Sequence, residues 1–104
     1  MSVKIKESTD VVVGGKTYHI AALDAMYGLD IMLDMTSGEA PKAGKVMDTI
    51  LKSVKLPSGE PTREWFNLEF SRRLVAIREL YDEIIKFNFP EFSEGKVEGD
   101  TEEE

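Results

Sequence analysis

The chain contains no cysteine. That excludes disulfides, thiolate zinc sites, iron–sulfur clusters and a cysteine nucleophile, and it fits a reducing compartment. Only one histidine is present, His19, so no His-x-x-x-His metal pair can form. No apolar run approaches the roughly 18 residues that a membrane helix requires, and residues 1–10 are too polar for a signal peptide. Basic residues are in the minority, 13 Lys and Arg against 20 Asp and Glu for a net charge of −7. This balance argues against nucleic acid or an anionic membrane as a partner. A phosphate-cradling loop is also missing, because Gly14-Gly15 lacks the following Gly-Lys-Ser/Thr and opens a strand. With 104 residues there is room for one domain with a modest core and marginal stability.

The acidity is not spread evenly. Residues 91–104 hold seven carboxylates and one base, Lys96, which leaves residues 1–90 close to neutral. Gly95, Gly99 and the absence of apolar periodicity mean that this end cannot bury enough surface to offset its ordering entropy. We therefore expect an N-terminal arm over residues 1–10, one domain over 11–92 and a disordered acidic tail over 93–104. Val3 and Ile5, alternating with Lys4 and Lys6, allow a short strand in the arm.

The domain reads as strands first and helices after. Val11-Val12-Val13, Gly14-Gly15 and Lys16-Thr17-Tyr18-His19-Ile20 form the pattern of a hairpin with a two-residue turn. Tyr18 and Ile20 then share one face, Thr17 and His19 the other. A two-stranded sheet is marginal in water, so helices must cover it. The first is expected over residues 21–36, stopping at Thr36-Ser37-Gly38. In the second, Val46, Met47, Ile50, Leu51 and Val54 form one apolar face, ending before the Pro57 and Pro61 turn. Thr62 caps the next helix, with Glu64 in its first turn. Phe66, Phe70, Leu74, Ile77, Leu80, Tyr81, Ile84 and Ile85 keep helical register to Phe87. They make either one helix of about 39 Å or a short and a long helix broken near Asn67 to Ser71. The fold class is α+β, mainly α: an N-terminal hairpin followed by three or four helices.

Reactive constellations are absent from this pattern. His19 sits on a hairpin face without a partner nucleophile. Asp30 with Asp34, and Asp82 with Glu83, lie on charge-dense helices and read as solvated rather than catalytic. Arg72, Arg73 and Arg78 are interleaved with Glu69, Glu79, Asp82 and Glu83, a mixed field in which Glu69 and Arg73 pair at i, i+4. We expect no enzyme, no catalytic residue, no cofactor and no metal.

Methionine is the compositional excess. Met26, Met32, Met35 and Met47 all fall in the two central helices. Their flexible, polarizable side chains suit an irregular core or a surface that accepts varied apolar partners. The first helix also has more apolar positions than one core face can absorb. Leu29, Met32 and Leu33, or Met26 and Met35, are then left over for a protein partner or a second copy.

The stretches Val13-Gly14-Gly15-Lys16-Thr17-Tyr18-His19-Ile20, Ala21-Ala22-Leu23-Asp24 and Lys86-Phe87-Asn88-Phe89 resemble, over roughly residues 11–90, the tail assembly chaperones of tailed bacteriophages. The resemblance implies a non-enzymatic factor of virion morphogenesis that binds the tape measure protein. It would keep that protein's long hydrophobic helices soluble in the host cytoplasm until tube subunits polymerise around it. It also implies self-association and, in many relatives, a longer frameshifted product. Two other classes fit the residues: a small adaptor or regulator, antitoxin-like, that pairs with one protein through the same helices, and a minor structural virion protein.

Overall fold

The structure, a computed structural model, describes residues 7–90. The alternation at Val3 and Ile5 and the acidic tail expected over 93–104 lie outside the described residues. Strand β1 (Ser8–Val13) and strand β2 (Lys16–Ala21) pair antiparallel with Val13 opposite Lys16. Gly14 and Gly15 close the turn at φ 58° and 81°, the left-handed pair that matches the twist of a two-residue hairpin. A Cβ on Gly14 would also come 3.0 Å from Arg73 Nη2, so a side chain there would strain the turn and displace the end of that guanidinium. β1 begins three residues earlier than the apolar run predicts, because Thr9 and Asp10 pair with Ile20 and His19 despite their polarity.

The remaining elements are α1 (Ala25–Ser37), α2 (Ala43–Ser53), α3 (Arg63–Glu69) and α4 (Leu74–Asn88). The expected fold class, a hairpin followed by helices, is the observed one. Helix α1 starts four residues later than its apolar composition implies. Ser53 Oγ donates to the Ala21 carbonyl at 2.7 Å, and the Leu23 amide donates to Asn88 Oδ1 at 2.9 Å. These bonds hold the approach to α1 extended, and Asp24 then caps it by accepting from the Tyr27 amide at 2.8 Å. Helix α2 also gives up a residue. Val54 is extended and bridges Ile20, while the Lys55 amide donates to the His19 carbonyl at 2.9 Å. The outer edge of β2 is thereby covered rather than left open.

The long C-terminal register breaks, which settles the two alternatives in favour of two helices. Phe70 ends α3 and is buried between Tyr18, Trp65 and Phe66, with ring centroids 5.9, 5.8 and 5.1 Å away. Arg72 then takes φ 64°, a left-handed conformation that costs a side-chain-bearing residue about 1–2 kcal/mol. Burial of the Phe70 ring, about 1.5–3 kcal/mol relative to exposure, offsets that cost.

One core results. Val13, Tyr18 and Ile20 of the hairpin meet Ile50 and Val54, Phe70, and Ala76, Leu80, Tyr81 and Ile84 of α4. Leu51, on the expected apolar face of α2, is only half-buried, whereas Thr49 and Ser53 are fully buried. Their hydroxyls are satisfied: Thr49 donates to the Lys45 carbonyl at 2.7 Å and lies 2.9 Å from the Tyr27 hydroxyl.

Candidate functional site

Helix α1 is the least embedded part of the fold. Ile31 is its single buried residue, and it is not a member of the main core cluster. The helix is fastened by polar contacts along one side. Tyr27 reaches Thr49 and lies under Lys45 and Lys52, 4.8 and 5.1 Å from the ring centre. Asp30 pairs with Lys45. Burial raises the Tyr27 phenol above its ordinary pKa, so it stays protonated and available as a donor.

Beside the fastened residues, the neighbouring flank of the helix faces water. Met26 is 75% exposed, Leu33 56% and Leu29 42%. Spaced at i, i+3 and i+7, these three form one ridge. Met32 and Met35 are half-buried. Met32 and Leu29 line a cleft of about 220 Å³ with Leu23, Gly28, Asn88 and Phe89, where α1 meets the end of α4. The five residues picked out by composition are thus all on α1 and all at least partly accessible. They divide differently from the expected groupings: a ridge of Met26, Leu29 and Leu33, and a half-buried flank of Met32 and Met35.

A second apolar surface escaped sequence reasoning. Leu74, expected on the buried register of a long helix, is 72% exposed, because the break at Phe70 to Arg73 rephases α4. Leu68 and Val75 are exposed as well. Leu74, Phe66 and Ile77 line a groove of about 290 Å³ with Pro41, Ala43 and Val46, and Arg78 stands at its edge. No local sequence signal marks it, because Leu74 fits the apolar register that runs from Phe66 to Ile85.

The polar groups form clamps. Tyr18 Oη donates to Glu69 Oε2 at 2.7 Å, Arg73 Nη1 donates to Tyr18 Oη and the Glu69 carbonyl at 3.1 Å each, and Lys16 pairs with the same carboxylate. Burial on its own would raise the Glu69 carboxyl. The bonds from Lys16 and Tyr18 and the nearby Arg73 charge outweigh it and hold the group below its ordinary range. Burial and the bond to Glu69 raise the Tyr18 phenol. Both groups therefore rest in the form that suits their mutual bond, and neither is poised to exchange a proton. The expected Glu69–Arg73 pair is present, at 3.4 Å.

His19 Nδ1 lies 2.7 Å from Asp10 Oδ1 on the exposed hairpin face. Asp82 pairs with Arg78 and Glu83 with Lys86. Among the described residues no three His, Asp or Glu side chains are placed to hold a metal ion, and no helix is long and apolar enough to cross a membrane. No family model, curated protein or solved structure matches this chain.

Proposed function

We propose that this protein is a non-enzymatic tail assembly chaperone, which binds the tape measure protein and keeps it soluble during phage tail morphogenesis. The observation that carries the reading is the exposed ridge of Met26, Leu29 and Leu33, flanked by the half-buried Met32 and Met35. A holding factor for long helical clients needs an apolar surface able to accept many partner sequences, and unbranched methionines repack at little cost. Helix-in-groove recognition uses anchors at this spacing. Because α1 buries only Ile31 and is otherwise fastened largely by polar contacts, it can adjust on client binding at lower cost than the hairpin or α4.

The reading predicts that a long, helix-rich tape measure protein is encoded beside this chain, and the test is co-expression with it. The chain should raise the soluble fraction of that protein and co-purify with it. The paired substitution Met26→Asp and Leu33→Asp should abolish both effects while the chaperone itself remains folded. No complex and no gain in client solubility would remove the proposal. A tight one-to-one complex with a single short neighbour would favour an adaptor role instead.

A further inference from the structure

The cleft where α1 meets the end of α4 is lined by Leu23, Gly28, Leu29, Met32 and Phe89, with Asp24 among its polar members. Two stretches outside the described residues continue from its walls. Residues 91–104 follow Pro90, directly after Phe89, and residues 1–6 lead into Glu7, whose carbonyl accepts from the Ala22 amide at 2.8 Å. Charge distinguishes the two. Residues 21–41 contain four carboxylates and no base. Asp30 is paired with Lys45, but among the described residues no cation pairs with Asp24. Residues 91–104, with seven carboxylates and one base, are repelled from such a surface, whereas residues 1–6 hold Lys4 and Lys6 and no acid. Direction and pattern agree with charge. Strand β1 is antiparallel to β2, so the chain traced back from Glu7 heads the way β2 heads when it leaves Ala22 for α1. In β1, Thr9, Val11 and Val13 are buried or half-buried, while Asp10 and Val12 face water. Val3 and Ile5 fall on the inward parity of that alternation, Lys4 and Lys6 on the outward one.

We infer that residues 1–6 run on from β1 along α1 and lay Ile5 and Val3 in this cleft, against Leu29 and Met32. Six extended residues reach about 20 Å, and the helix face from Ala25 to Met32 is only about 10 Å long. Ile5 and Val3 stand about 6.6 Å apart in an extended chain, close to the rise of about 6 Å between Gly28 and Met32. Gly28 has no side chain to block such an approach. Continuing the strand register sets Lys6 beside Leu23, within reach of the Asp24 carboxylate. The inference concerns the chain alone. Joined to the chaperone reading, it makes the segment a strap over Leu29 and Met32, two of the client-facing residues, which a client displaces on binding.

Nuclear Overhauser spectra of the isotope-labelled full chain test it. Contacts should appear between the methyls of Ile5 and Val3 and those of Leu29 and Met32. Ile5→Asp should lose them, those of Val3 included, while the contact between the paired Val11 and Tyr18 persists and reports that the hairpin is folded. Lys4→Glu combined with Lys6→Glu should weaken them. Their absence from the wild type overturns the inference. So do contacts from Phe92 or Val97 to the same methyls, which would give the cleft to the C-terminal end. Contacts found only between labelled and unlabelled copies in a mixture would give it to a second copy and overturn the inference too. Ile5→Asp should also bind the client several-fold more tightly, and an unchanged affinity would overturn the strap. A chain that shows the contacts but holds no client in any variant would remove the proposed function and leave the placement of residues 1–6 standing.

Discussion

Glu69 joins the hairpin to the α3–α4 junction, and its ionisation makes that junction sensitive to acid. Held below the ordinary carboxylate range when folded, it binds its proton more weakly in the folded than in the unfolded chain. Its stabilising contribution is therefore complete above the unfolded pKa, about 4.3, and is lost as pH falls through the lower folded value. Glu69→Gln should cost about 1.5–3 kcal/mol at pH 7, as expected for a lost charged hydrogen-bond network. The difference from wild type should shrink as pH falls below the unfolded value, read from urea midpoints. Ile50, wholly buried in the core, should cost about 2–5 kcal/mol when cut to alanine, with an unchanged denaturant slope. Leu51→Ala should cost less, because that side chain is half-buried. Met26→Asp, at an exposed position, should stay within about 0.5 kcal/mol of wild type.

Elements differ in how firmly they are held. Helix α4 supplies four buried residues to the fold and α1 supplies one. Amide hydrogen exchange should accordingly show α1 opening at a lower free energy than α4 and the hairpin. Equal protection across all three would contradict the view of α1 as a loosely fastened binding element. At the α3–α4 junction the strain sits on Arg72, whose φ of 64° suits glycine. Arg72→Gly should raise stability by about 0.5–1 kcal/mol by relieving that strain, seen as a higher urea midpoint.

For the molecule as a whole, stability and binding are carried by different surfaces. The core runs through the hairpin, α2, Phe70 and α4, whereas the exposed Met26, Leu29 and Leu33 of α1 lie outside it, so substitutions there should separate the two properties. Most of this layout was legible in the sequence. Gly14-Gly15 between β-prone runs dictates the turn, Thr62 is a residue type that caps, and Gly38 is a stop. These are local rules, set by φ freedom and by hydrogen bonds within a few residues. The five α1 residues were legible too, since apolar positions in excess of one core face must go somewhere. Element boundaries were not, because distant partners set them: Ser53 and Asn88 hold Ala21 and Leu23 extended, and Ile20 draws Val54 out of α2. Nor was the break at Phe70, where stacking on Tyr18 across 52 positions of chain competes with a register that runs unbroken in the sequence. Local chemistry thus determined which elements exist and that apolar surface is in surplus. Packing between remote residues decided where each element ends and which side chains are left facing water, because the free energy that selects among helical faces comes from burial, and burial is a property of the assembled chain.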